Sequence, residues 1–429
     1  MAPPSPALKA SPYDILRNRN FLCYLLGRFM ATFGQQMLTV AVGWEIYERT
    51  GSSLALGLVG LTSYLPMVVM TLPAGHVADS RDRKQVMVFM QATMALIALG
   101  LALVSWKRLP VEWMYVCLFA GGVARTFLWS ASASFLPQLV AREEFPLAVN
   151  WSSSTFQFSA VTGPAAGGGL IWLTRSAATV YVVVAFLSLF CVAMYYLIRL
   201  RPKLIPQQEM SMESLLGGFR FVFRHRVILG TITLDLFAVL FGGATALLPV
   251  YAKDILKVGP QGLGLLSAAL PVGSLTCALL MAHRPPMKKA GRALIAAVAL
   301  FGLATVAFGW SHWFWFSLLM LFVCGFADNV SVIVRHTLVQ LLTPDAMRGR
   351  VSSVNNLFIG TSNDLGGFES GLVSQWRGPV FSVVSGGLAT ILVVLAVAWI
   401  WPEIPRFGRL VQPEEPISAP PGPAGIPQK

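Results

Sequence analysis

Long apolar runs recur along this chain from Phe21 to Trp399, and no polar stretch between them is long enough to fold as a domain. A helix needs about 20 mostly apolar residues, at a rise of 1.5 Å each, to cross the hydrocarbon of a bilayer. Twelve runs reach that length, over approximately residues 20–46, 53–78, 85–106, 111–137, 147–173, 178–199, 228–251, 262–283, 291–310, 313–340, 350–374 and 378–401. Strand-like alternation is absent, and backbone in lipid must satisfy its hydrogen bonds within the segment, so each run reads as a helix. Charged residues make up 12% of the chain, against roughly 25% in soluble domains. The expected fold is an all-α membrane protein of twelve transmembrane helices.

The charges report orientation rather than a nucleic-acid partner, although the net charge is +13. With both termini cytoplasmic, 22 of the 32 Lys and Arg residues fall in inside segments and seven outside, leaving Arg28, Arg125 and Arg335 within runs. Independently, Trp44, Trp106, Trp113, Trp172, Trp310, Trp313, Trp315 and Trp376 fall near the predicted outer ends, as an interfacial aromatic belt requires. The N-terminus lacks a charged region followed by a short apolar core and cleavage site, so no removable signal peptide is expected. Five cysteines, all within apolar runs, imply no disulfide framework.

The longest interruption, Arg201 to Arg226, carries a short amphipathic stretch around Met212 to Phe223 and reads as a surface-lying cytoplasmic linker. It divides the chain into a segment 1–19, a six-helix half 20–200, the linker 201–226, a second half 227–401 and a tail 402–429. With eight prolines in 28 residues, the tail is expected to be disordered. The halves are related: the sequence from Leu136 aligns with that from Leu338 at an offset of 202. Near an offset of 207, Arg28 falls opposite Asp235 and Gly57-Leu58 opposite Gly264-Leu265. Two pseudo-symmetric halves are the signature of a secondary transporter that rocks about a central site.

Between the second and third runs stands Gly75-His76-Val77-Ala78-Asp79-Ser80-Arg81-Asp82-Arg83-Lys84. It resembles the loop motif of the major facilitator superfamily, G-x-x-x-D-R-x-G-R-R/K. Gly75 and Asp79 match the family's glycine and acid, Arg83 and Lys84 its basic pair, and Arg81 lies between them. Ser80 and Asp82 replace the usual Arg and Gly, which implies a rearranged latch. In the fifth run, Ser159 to Gly168 is similar to the family's G-x-x-x-G-P-x-x-G-G, with Gly163, Pro164, Gly167 and Gly168 at the motif positions. Within the superfamily that motif accompanies exporting antiporters. The stretch Asp235 to Pro249, with Arg335, Arg348-Gly349-Arg350-Val351 and Gly367 to Gly371, is similar to the enterobactin-exporter-like, or transmembrane secretion effector, group. This resemblance spans roughly residues 15 to 400. It implies the two-half fold and export of an amphipathic drug or siderophore in exchange for protons, in a bacterial inner membrane. The family's fourth-helix Arg is not matched: Cys117 stands near its place and Arg125 about two turns later.

An ionisable residue inside a span costs at least about 2.5 kcal/mol on insertion scales, so each needs a partner or a wet cavity. The set is Arg28, Arg125, Asp235, Asp328, Arg335, Asp364 and Glu369, with Glu45 near an outer end. Asp328 and Arg335, seven residues apart, share a helix face. These residues are expected to line the cavity between halves, pairing in one state and separating in the other, with Asp235 and Glu369 as proton carriers. Static pairs fixing helix register are the other reading. Gln35, Gln36, Asn150, Gln157, Asn355, Asn356 and Asn363, joined by Phe33, Trp129, Phe156 and Phe241, suit a mixed polar and aromatic substrate pocket.

Other classes lack their signatures. There is no G-x-x-x-x-G-K-S/T phosphate loop for an ATP-driven pump, and the five histidines are scattered without ligand spacing, so neither an enzyme, a cofactor nor a metal is expected. A monomer handling a small molecule and protons is expected. The same scaffold also suits a lipid or lysophospholipid flippase or a transport-inactive membrane sensor.

Overall fold

A computed structural model describes residues 13–199, 212–285, 287, 289–344 and 347–408, apart from the side chains at 79, 212–216, 353, 356 and 357. The first twelve residues, the start of the linker, the tail from 409 and the side chains of Asp79 and Asn356 therefore lie outside the described residues. Twelve long helices form: α1 (Arg19–Thr50), α2 (Ser53–Ser80), α3 (Arg83–Trp106), α4 (Glu112–Leu139), α5 (Phe145–Thr174), α6 (Ala177–Leu197), α7 (Arg226–Phe241), α8 (Gly259–Ala282), α9 (Ala290–Trp310), α10 (Phe314–Leu342), α11 (Arg348–Arg377) and α12 (Pro379–Ile400). A linker helix, Met212–Arg224, precedes α7. No strand occurs among the described residues.

Local chemistry sets the boundaries. Gly51 ends α1 in the left-handed region at φ 62°, and the Ser52 hydroxyl caps α2 by accepting the Ala55 N–H at 3.3 Å. Asp82 accepts the Lys84 N–H at 2.9 Å and starts α3. The residue that departs from the family loop thus serves as a helix cap. Gly378, at φ 90°, and Pro379 divide α11 from α12.

Among the described residues, nine helices are long and apolar enough to span a bilayer on composition alone. The remaining three, α1, α5 and α11, carry the polar side chains singled out above. Exposed Phe89, Leu96, Leu173, Phe186 and Leu392 give the bundle an exterior that suits lipid rather than water. Seven of the eight belt tryptophans are exposed; Trp44 is the correction, at 7% exposure inside the core.

Packing repeats between halves. In the first, α3 packs on α6, α2 on α4, and α1 on α5 and α6; in the second, α9 packs on α12, α8 on α10, and α7 on α11 and α12. The two largest contacts between the halves, α5 with α8 and α2 with α11, are equivalent under the same exchange. The seventh run is not one continuous helix. After α7, Gly242-Gly243 leads into a tight turn (Ala244–Leu247) and a wide turn (Tyr251–Ile255).

Arg83 shows why basic residues gather at the α2–α3 turn. Its guanidinium, 5% exposed, donates to the carbonyls of Ala78 and Ser134 at 3.1 Å each, while Lys84 Nζ donates to those of Tyr196 and Ile198 at 2.9 and 2.7 Å. These cations close the ends of α2, α4 and α6, where carbonyls lack helical partners. Arg83→Met is expected to lower stability by about 1.5–3 kcal/mol, the worth of a charged hydrogen bond, read as a drop in Tm.

Candidate functional site

The two halves meet closely on the side opposite the linker helix, here the far side. There the largest buried cluster joins Met37 to Tyr47 of α1 to Leu247–Ala252 and to Leu263 and Leu266 of α8. The closest approaches are made by glycines in symmetric pairs. A Cβ on Gly168 would stand 2.3 Å from the Pro260 carbonyl oxygen and 2.9 Å from Gly264 Cα. One on Gly371 would stand 2.7 Å from the Ser53 carbonyl and 2.9 Å from Gly57 Cα. Gly264 in turn abuts the Ala165 Cα at 3.2 Å, and Gly57 the Phe368 Cα at 3.1 Å. Thus Gly167 and Gly168 of the fifth-helix motif face different partners: a Cβ on Gly167 would meet Met37 Cα at 3.0 Å within the same half, while Gly168 faces the other half. Gly163, likewise, abuts Gln36 at 2.5 Å, and the Pro164 carbonyl lies 2.6 Å from the Cβ position of Gly264.

Polar contacts reinforce the far side. The Tyr47 hydroxyl donates to the Asp254 carboxylate, and Lys253 Nζ lies 5.4 Å from the Tyr47 ring centroid. The Ser52 hydroxyl meets Gln375 at 3.1 Å, and the Ser53 and Ser374 hydroxyls are 2.9 Å apart. Tyr47 and Asp254 escape sequence reasoning because each sits at the end of an apolar run, where a charge reads as a loop residue. Gly75, at the motif's glycine position, has nothing within 4 Å of its Cβ position.

The ionisable residues divide into three groups. Arg335 pairs with Asp235, at side-chain exposures of 2% and 9%, which joins α10 to α7 inside the second half. Asp235 and Arg28, aligned in the repeat, are thus not partners of each other. Arg28 donates to the Tyr24 and Ser132 hydroxyls at 3.1 and 3.2 Å, inside the first half. Across the divide, Arg125 on α4 and Asp364 on α11 lie within electrostatic reach of each other without an ion-pair contact. Asp364 leans on α2, its Oδ1 3.6 Å from the Cβ position of Gly60, and Tyr64 of α2 hydrogen-bonds Thr361 one turn away. Both charges lie near the middle of their helices. Asp328 takes neither role; it lines a cavity of about 90 Å³ inside the second half, with Asn363. Glu369 is partly buried beside the Ser370 hydroxyl, at 3.4 Å.

The expected pocket residues are spread in exposure. Trp129 (76%), Phe156 (46%), Asn150 and Asn363 are exposed, Phe33, Gln35, Gln36, Gln157 and Phe241 half-buried, and Asn355 buried. No group of three or more metal-ligating side chains occurs among the described residues.

Two related six-helix halves with glycine-lined contacts between them define a secondary transporter scaffold. The sequence profile of the Major Facilitator Superfamily matches residues 24–368, and the chain belongs to that family. It is 26% identical over 391 residues to the enterobactin exporter EntS of Citrobacter koseri, covering 90% of this chain and 93% of that protein. The EntS protein of Escherichia coli O157:H7 is 25% identical over the same length. Among solved structures, a bacterial homologue of the human lysosomal transporter Spinster, inward-facing and occupied, superposes with a TM-score of 0.72 at 14% identity, covering 92% of this chain and 98% of that one. The nucleoside transporter NupG superposes at 0.69 with 15% identity, covering 90% and 99%.

Proposed function

We propose that this protein is a proton-coupled exporter of an amphipathic organic compound of the siderophore or drug class, working as a monomer in a bacterial inner membrane with both termini cytoplasmic. The observation that carries the reading is the placement of opposite charges, Arg125 and Asp364, near the middle of helices from opposite halves and within reach of each other's field. A full-length likeness to enterobactin exporters supports the direction and the substrate class. Under the charge-derived orientation the far side is the outside, so the described state is closed outward. In alternating access the pair separates when the halves rock, and an unpaired carboxylate in a poorly hydrated gap then takes up a proton. The aromatic and amide side chains of α1, α4, α5 and α11 suit a ligand with both ring faces and polar edges.

The test uses inside-out vesicles holding the protein, acidified within and reporting lumenal pH through a dye, while catecholate siderophores, cationic drugs and lysolipids are added in turn. A ligand-dependent proton efflux is expected for a siderophore or drug, and its loss in Asp364→Asn. Lysolipid movement without any pH change establishes a flippase instead. Silence throughout, with ligand binding retained, establishes a sensor.

A further inference from the structure

The break after α7 builds a second site. The α-helical ladder stops at Gly242: the Ala244 N–H turns to the Gly242 carbonyl at 2.7 Å, and the Ala246 N–H to that of Gly243 at 3.1 Å. In an unbroken helix Ala244 would meet the Leu240 carbonyl. Glycine is required at the bend, since a Cβ on Gly243 would lie 2.4 Å from the Gly366 carbonyl. Beside the break is the 90 Å³ cavity, walled by Gly242, Gly243, Thr245, Thr305, Asp328 and Asn363 among others. By volume it holds about three water molecules, far less than an amphipathic ligand needs.

Its oxygens point to a cation. The Thr305 hydroxyl donates to the Phe301 carbonyl at 2.9 Å, and the Asn363 amide nitrogen to the Ile359 carbonyl at 2.8 Å. Each thereby turns a donor to backbone and keeps its side-chain oxygen as an acceptor, the Asn363 amide retaining a second N–H. Among the described residues Asp328 has neither an ion pair nor a hydrogen bond, and the titratable groups facing it are the thiols of Cys324, on its own helix, and Cys277 of α8. Arg335, two turns along α10, is already engaged by Asp235. Among the described residues no cationic side chain lines the cavity. An ionised carboxylate left so would cost several kcal/mol, so the cavity calls for a positive guest.

We propose that the cavity at the α7 break is a monovalent-cation site, with Asp328 as the charged ligand and Thr305, Asn363 and Thr245 as neutral oxygens, taking H⁺ or Na⁺. Because it lies among α7, α9, α10 and α11, the site adds to the inter-half pair and deepens the coupled-transport reading, on which its functional meaning rests. A guest there draws the α7 break, α10 and α11 together. Since α11 also carries Asp364 and Gly371, occupancy bears directly on the contact between the halves.

The test takes purified full-length protein in nanodiscs and needs no transported compound. Thermal unfolding is followed in NaCl against choline chloride at equal ionic strength, and the infrared carboxylic-acid band is followed on acidification. For Na⁺, a saturable rise in Tm is expected in the wild type, absent in Asp328→Asn and shifted at least about tenfold in concentration in Thr305→Val. For H⁺, a protonated-carboxyl band is expected in the wild type and missing from the Asp328→Asn difference spectrum, with no Na⁺ effect. Either pattern supports the site; neither response in the wild type, or a full response surviving in Asp328→Asn, overturns it. Should that variant fail to fold, an unshifted Na⁺ response in Thr305→Val, or a band unmoved in position by that change when only H⁺ acts, also overturns it. Cation binding at Asp328 in a protein silent in the vesicle panel refutes the exporter reading while leaving the site intact; proton-coupled export with Asp328→Asn behaving as wild type does the reverse.

Discussion

Replacing Gly168 with valine is expected to stall export by forcing the far side of the molecule apart. The new Cβ would lie 2.3 Å from the Pro260 carbonyl oxygen and 2.9 Å from Gly264 Cα, both backbone atoms that cannot swing away. Overpacking of this kind costs about 1–3 kcal/mol, which as a coupling energy corresponds to a shift of about 5- to 150-fold between two states. The penalty falls on the state described here and is relieved where α5 and α8 separate. With a cysteine in place of Ser52, thiol labelling from the far side should rise and export should fall by an order of magnitude or more. Gly169→Val is the control, since nothing lies within 4 Å of its Cβ position. The symmetric change, Gly371→Val, is expected to act alike on α11 and α2. Wild-type export and labelling in Gly168→Val would show that these contacts set no limit on the cycle.

The second large effect concerns Asp235 and Arg335. Both are buried, so removing either one leaves a stranded charge, at about 3–5 kcal/mol. Asp235→Asn alone is therefore expected to lose much of its yield and Tm, and any transport defect in it reports unfolding as much as mechanism. Replacing both, as Asp235→Leu with Arg335→Met, should restore most of that stability, since apolar pairs of similar volume substitute well for buried ion pairs. Because both residues lie in one half, the double variant is expected to export as well as it folds. A double variant that is stable yet silent would instead assign the pair to the transport cycle.

Much of the architecture is legible in the chain because lipid enforces one rule, a helix long enough to cross, and the rule leaves a run that can be counted. The seventh run shows where counting stops. Residues 228–251 are apolar apart from Asp235 and three threonines, so hydropathy joins them, while the Gly242-Gly243 pair and Pro249 mark the break. The charged residues are found by rarity, yet pairing depends on which helices touch, and that is a property of packing. Offsets of about 207 align Arg28 with Asp235, but equivalence between repeats relates positions by symmetry and does not bring them into contact. Glycines behave oppositely. Gly57 and Gly264, matched in the repeat, do sit at equivalent contacts, because close backbone approach is what preserves glycine at both places.

The uneven apolarity of the helices bears on how the protein enters the membrane. Made before α2, α1 is one of the three helices that fall short of spanning on composition among the described residues. Its two-residue connection to α2, Gly51-Ser52, favours insertion of the two as a hairpin, the strongly apolar α2 carrying its weaker neighbour across. The interval between synthesis of α10 and of α12 is the corresponding moment for α11. Side chains that equip a helix to face a watery passage thus make its assembly cooperative, and biogenesis must wait for partners that the finished bundle takes for granted.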